Sequence, residues 1–182
     1  MKKLLLVGLL CLLGVANLFA AKTDVSVSSG DGSVLKTKSL ALLEFDYSST
    51  KVGDQSLADY LINNNESDWP DDNQFAISMF TRRLNKKSKG IKVTENPEEA
   101  TYKMVVRVTL LDFGSGAGVL LSVNPYAGGC TMSGTVEIID IKTNETVCVL
   151  NVVDLKGQSN LLRKGRLGVL YHDLATKIYK LK

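Results

Sequence analysis

Glu44 and Asp46 stand two residues apart in LALLEFDY, and Asp112 closes YKMVVRVTLLDF. Paired carboxylates on one strand face can divide the acid and base roles of glycoside hydrolysis, with a third beside them if the strands are neighbours. The same residues read equally well as solvated strand ends. A hydrolase of cell-wall or dietary glycan is therefore the enzymatic alternative this sequence carries, with Glu44, Asp46 and Asp112 as candidate catalytic residues.

Other chemistries lack their residues. The run GSGAG, Gly114 to Gly118, follows a strand-like stretch as a phosphate cradle would, but it leads into VLLSVNPYAGG, with Pro125, paired glycines and no helical period. A cradle needs a helix whose first amides point at the anion. The run therefore reads as a long connection between strands. Asp112-Phe113-Gly114 matches a kinase triplet, without the catalytic-loop and strand-lysine motifs that give it meaning. His172 is the single histidine, and no cysteine or carboxylate pattern at ligand spacing accompanies it. Nucleophilic catalysis assisted by an imidazole would rest on that residue alone. The expectation is no cofactor, no metal, and a structural or surface role for His172.

The same connection holds Val119, Leu120, Leu121 and Val123. Such side chains either fold back on the core as an extra strand or present an apolar patch to a partner. Core packing is the plainer outcome; the alternative makes these four the candidate partner-binding residues.

The elements that would position these residues follow from period. Ala41, Leu43, Phe45 and Tyr47 share one face of a strand whose other face carries Leu40 and Leu42, which marks it as interior. Tyr102, Met104, Val106, Val108 and Leu110 alternate with Lys103, Val105, Arg107, Thr109 and Leu111, the clearest strand in the chain. TMSGTVEIIDI and TVCVLNVVDL flank KTNE and predict a hairpin. IKVT predicts a short strand before a capped turn at Asn96-Pro97. A short helix fits SLADYLI, a longer one runs from Asp71 with Ala76, Met79, Phe80 and Leu84 as its stripe, and Leu167, Leu170, Tyr171, Leu174, Ile178 and Leu181 predict a terminal helix. The implied fold is α+β: a mixed, largely antiparallel sheet of about four to five strands with two main helices packed on it.

Residues 1–20, MKKLLLVGLLCLLGVANLFA, combine two lysines, an apolar run and a small-residue exit, as a secretory signal peptide does. Leu10 precedes Cys11 where acylation wants a small residue, which argues against a lipoprotein. No later stretch approaches the ~18 apolar residues of a transmembrane span. Residues 21–37 are rich in Ser, Gly and Asp and read as a tether or small hairpin; residues 38–182 read as a single domain.

Without Lys2 and Lys3 the basic residues fall from 22 to 20 against 19 acids, and the net charge from +3 to +1. Nucleic-acid binding needs a concentrated basic face, which that balance does not recommend. Six acids (Asp54, Asp59, Glu66, Asp68, Asp71, Asp72) precede six bases (Arg82, Arg83, Lys86, Lys87, Lys89, Lys92). Mutual neutralisation and a solvated helix face account for that block pattern more simply than an anion site does. Export would allow Cys130 and Cys148 to pair. In the predicted hairpin they lie about nine residues apart, roughly 30 Å at ~3.3 Å per residue, where a disulfide needs about 7 Å between Cα atoms. Two buried free thiols are expected.

The succession LALLEFDY, helix, IKVTENPEEATYKMVVRVTLLDFG, hairpin and terminal helix resembles a class of small exported bacterial α/β proteins. In layout it is similar to the curli-secretion lipoprotein and the periplasmic penicillin-binding-protein activator. The marker is Asn96 to Val108, a Pro-Glu-Glu-Ala turn launching alternating apolar residues. The resemblance implies action by binding envelope components, and the motifs behind it are structural rather than catalytic. The expected function is an exported, periplasmic or secreted, non-enzymatic binding or accessory module whose partner is an envelope protein or cell-wall component. The alternatives are the carboxylate hydrolase and a carrier with an apolar pocket beneath the 114–130 loop.

Overall fold

The structure, a computed structural model, describes residues 24–117 and 123–181. Strand β1 (Val25–Gly30) leads through a 3-10 turn (Gly32–Lys36) into β2 (Leu40–Asp46), then β3 (Lys51–Val52), β4 (Gln55–Ser56) and helix α1 (Leu57–Asn63). Helix α2 (Trp69–Lys87), β5 (Lys92–Val93) and β6 (Tyr102–Asp112) follow, then β7 (Thr131–Asp140), β8 (Thr146–Lys156) and helix α3 (Arg163–Lys180).

These strands form one sheet of eight, in the order β1-β8-β7-β6-β2-β5, with β3 on β6 beyond the end of β2 and β4 on β3. The pairings of β2 with β5 and β6, and of β3 with β6, are parallel; the others are antiparallel. This corrects the expected sheet of four to five strands with two main helices: the described residues hold eight strands and three α-helices. The strands that periodicity missed are β1, a serine-rich edge strand buried mainly at Val25, and the two-residue β3 and β4, too short to show a period. Residues 25–30, expected in a tether or small hairpin, pair with β8.

Helix α2 explains its own placement. Asp72, Ala76, Phe80 and Leu84 recur every four residues and are its buried residues, so the stripe that meets the sheet begins with a carboxylate. Acids in its first turn and Lys86 and Lys87 in its last suit the helix dipole. Helix α3 buries Leu167, Leu170, Tyr171, Leu174 and Ile178, as the spacing predicts. Both helices share one core cluster with Met104, Val106, Val136, Ile138, Leu150 and Val152 of the central strands. The intervening residues of β2 and β6 point the other way, so Glu44, Asp46, Lys103 and Arg107 occupy the face away from the helices.

The hairpin stands as predicted, with β7 and β8 joined across Ile141–Glu145 and the Asp140 carboxylate accepting from the amides of Lys142 and Thr143 at 2.8 and 3.2 Å. Cys130 and Cys148 are buried and free. Gly157 donates to the Cys130 carbonyl at 2.9 Å and Cys148 faces Ile138, which places the thiols at opposite ends of the hairpin.

Candidate functional site

Glu44 and Asp46 share a face, but both are engaged. Glu44 pairs with Lys103 at 2.6 Å, and Asp46 with Arg107 at 2.5 Å; Arg107 reaches on to Glu137 at 2.9 Å. Asp46 also accepts from the Ser48 amide at 2.9 Å. Bonds from Ser48, with a smaller contribution from Arg107, hold its carboxyl below the usual carboxylate range. Such a group is a poor proton donor near neutrality. Asp112 lies five residues beyond Arg107 on β6, about 16 Å at ~3.3 Å per residue, where it accepts from the Gly114 amide at 2.8 Å. Carboxyl pairs that cleave glycosides stand about 5–9.5 Å apart, so Asp112 does not join the other two in one cleft.

The glycine run serves close backbone packing. Ser115 donates to the Gly128 carbonyl at 3.0 Å, so the chain leaving β6 and the chain approaching β7 meet at a neck. Gly114 has φ +63°, and a Cβ there would lie 2.3 Å from the Gly128 oxygen; one at Gly129 would lie 2.0 Å from the Gly157 oxygen. A side chain at either position would collide with backbone that cannot step aside. Of the four candidate partner-binding residues, Val119, Leu120 and Leu121 lie outside the described residues. Val123 is described and is fully exposed at 107%.

The neck is held by a residue the sequence reading did not single out. Arg166, buried in the first turn of α3, donates to the Phe113 carbonyl at 2.9 Å and to those of Asn160 and Leu161 at 3.0 and 2.9 Å. The Cys130 thiol approaches the same Phe113 oxygen at 3.0 Å, and burial pushes it up to about 12 against the pull of Arg166. One turn earlier, Arg163 binds Asp72 at 2.9 Å and Glu66 at a shorter distance, with its guanidinium 5.7 Å from the Phe113 ring centre. Burial opposes its charge, yet the bonds to Asp72 and Glu66 prevail and leave it more basic than usual. The carboxylate heading the α2 stripe thus has its cation.

Aromatic rings fill the space beneath. Phe113 stacks on Tyr60 at 5.3 Å and meets Trp69 edge-on at 5.7 Å, and Trp69 meets Tyr47 at 5.5 Å. Tyr47 donates to Asn73 at 2.5 Å and shares a hydrogen bond with Tyr171 at 2.6 Å. An open cleft of about 530 Å³ lies above, lined by Tyr60, Glu66, Asp72, Phe113, Leu162 and Arg163 among others. It opens where the parallel strands β2 and β6 finish, the end of such sheets where ligands commonly bind. Leu162 borders it, 71% exposed, and Leu161 beside it in the chain is 59% exposed. No spacing in the sequence announces this cleft, because its residues come from α1, α2, the neck and α3.

His172 lies on α3 with Nδ1 3.2 Å from Asp173. Among the described residues no group of three or more His, Cys, Asp or Glu side chains is placed to hold a metal ion.

No family model matches this chain, and no curated protein matches it. Among solved structures, the PelC dodecamer from Paraburkholderia phytofirmans overlays at TM-score 0.46 and 13% identity, covering 84% of this chain and 96% of that one. A point variant of that dodecamer overlays at TM-score 0.45 and 15% identity, covering 85% and 95%. Overlays this loose carry no functional argument. What the cleft can do chemically rests on its own residues. Of its three lining carboxylates, Glu66, Asp68 and Asp72, the first and last are tied to Arg163, which suits holding a surface in shape and leaves neither of those two poised to move a proton.

Proposed function

We propose that this protein is a non-enzymatic binding module of the cell envelope, exported and then periplasmic or secreted, which docks its partner on the loop end of the sheet. The observation that carries this reading is the exposure of Leu162 on the rim of a cleft where Glu66 and Asp72 are locked to Arg163, together with that of Leu161 beside it in the chain and of Val123 on the connection between β6 and β7. Apolar side chains rimming a rigid polar and aromatic floor suit association better than turnover. The sequence resemblance to exported accessory proteins points the same way, and export itself rests on residues 1–20, outside the described residues. No helix among the described residues is long and apolar enough to cross a membrane.

The test is photo-cross-linking in intact cells from a probe at Leu162, with mass-spectrometric identification of the envelope neighbour. The specific cross-link should disappear from a probe-bearing chain that also carries Leu161→Ser and Val123→Ser, while the melting temperature stays close to that of the parent. A cross-link pattern unaffected by those substitutions would refute the loop end as the docking surface.

A further inference from the structure

The lysine-rich stretch after α2 has no task in the loop-end reading. The six bases from Arg82 to Lys92, four of them on α2 itself, would be silenced by the six preceding acids if the two groups were neighbours, but α2 holds Asp71 and Asp72 in its first turn and Lys86 and Lys87 in its last. That helix is 19 residues long, about 28 Å at ~1.5 Å per residue and more than three Debye lengths at physiological salt. Glu66 and Asp72 are moreover committed to Arg163 at the far end. The near end keeps its field: Lys36, Lys38, Lys86, Lys87, Lys89 and Lys92 are exposed, and none forms an ion pair among the described residues.

Three of these lysines surround a single concavity. Lys38, Lys89 and Lys92, with Ser39, Leu40, Ser88 and Gly90, line an open basin of about 740 Å³ that no acidic side chain enters. Glu95, Glu98 and Glu99 follow on the turn after β5 without lining it. Segments distant in the chain are locked together here. Ile91 donates to the Leu35 carbonyl at 3.1 Å and Lys92 to that of Ser39 at 3.0 Å. Gly90 packs so tightly that a Cβ would lie 2.1 Å from the Leu35 oxygen. The helix dipole accounts for Lys86 and Lys87 in the last turn of α2. It does not account for Lys38, Lys89 and Lys92, which lie outside the helix and line the same basin.

We infer that this basin binds an oligoanion, a short linear chain bearing several carboxylate or phosphate groups. Lysines present separate point charges, where an arginine fork would grip one anionic group from two sides. Each exposed contact contributes little alone, so several negative charges along one ligand are needed to hold it. The concavity favours a chain that enters over a flat lipid surface, which would meet only the rim. The site is independent of the proposed docking surface, because it lies where β2 begins and the cleft lies where β2 ends.

The test titrates the folded protein at low salt with tripolyphosphate, with trigalacturonate and with vesicles containing phosphatidylglycerol. A triple variant, Lys38→Gln, Lys89→Gln and Lys92→Gln, should bind the preferred oligoanion about tenfold more weakly. A control with the same charge change, Lys51→Gln, Lys156→Gln and Lys180→Gln, should stay within about twofold. Whichever of the two small anions binds more tightly identifies the group recognised. Equal weakening in both variants would reduce the effect to net charge and overturn the site. Absence of binding to either oligoanion, or binding to vesicles alone, would overturn it too, and either result would leave the loop-end docking surface standing.

Discussion

The guanidinium of Arg166 and the carbonyl of Phe113, 53 residues apart in the chain, meet at 2.9 Å at the neck of the glycine loop. The same side chain satisfies the Asn160 and Leu161 carbonyls, so one buried cation fastens the start of α3 to both loops above the cleft. Its charge is met by carbonyl dipoles rather than by a carboxylate, an arrangement that tolerates no apolar replacement of similar length.

Arg166→Met should therefore strand three acceptors and cost about 2–4 kcal/mol in urea unfolding. Lys164→Met, two residues before Arg166 but exposed, should change stability by under about 0.5 kcal/mol. Amide exchange at Ser115 and Ala127 should rise in the Arg166 variant as the neck loosens. Equal stability in the two variants would show that Arg166 is not the fastening.

Gly129→Ala places a Cβ 2.0 Å from the Gly157 oxygen, and neither backbone segment can yield without breaking the Gly157 to Cys130 hydrogen bond. A loss above about 2 kcal/mol is expected. Gly53 offers the contrast: φ is +60° but nothing lies within 4 Å of an added Cβ, so Gly53→Ala should cost about 1 kcal/mol of backbone strain alone. Thermal melts of the two variants side by side distinguish collision from strain.

Alkaline pH should unfold the protein earlier than its surface charge would suggest. Burial raises Tyr47 and Tyr171 well above the phenol value of 10.0 and raises Cys130 to about 12 from 9.0. The unfolded chain releases these protons first, while the folded chain retains them. Their contribution is thus intact below about pH 9 and is lost as pH rises through the folded-state values. Melting temperature should decline steeply above about pH 9, and Tyr47→Phe should make the decline shallower by removing one titrating group. A decline of unchanged slope in Tyr47→Phe would count against this origin.

Glu44→Gln and Asp46→Asn remove one partner each from exposed ion pairs on the face away from the helices. Both variants should melt close to the parent, since such pairs are screened by water and salt. Any glycan-hydrolysing activity of the parent should persist in them. Loss of such an activity in either variant would restore the carboxylates as a catalytic pair.

Much of this architecture was written locally. The alternation from Tyr102 to Leu111, the hairpin around Lys142–Glu145, the α2 stripe and the terminal helix each depend on neighbours within a few residues, and period alone reveals them. The separation of Cys130 from Cys148 followed from hairpin register in the same way. Strand β1 escaped because an edge strand buries little and so needs no alternation; β3 and β4 escaped because two residues cannot display any.

The site belongs to the other category. Residue type alone offered Glu44 and Asp46 as chemistry, but pairing across β2 and β6 supplies Lys103 and Arg107 and makes them structural. Asp72 appeared as one more acid in a charged run until the packing of α2 against α3 buried it beside Arg163. The acidic and basic blocks looked self-cancelling along the chain, and α2, with Asp71 and Asp72 in its first turn and Lys86 and Lys87 in its last, holds the ends of the two blocks apart. Local sequence determines period, capping and turn, because those energies act between adjacent residues. Which charges meet, and which are left facing water, depends on distances that exist only once the sheet and helices have closed on one another.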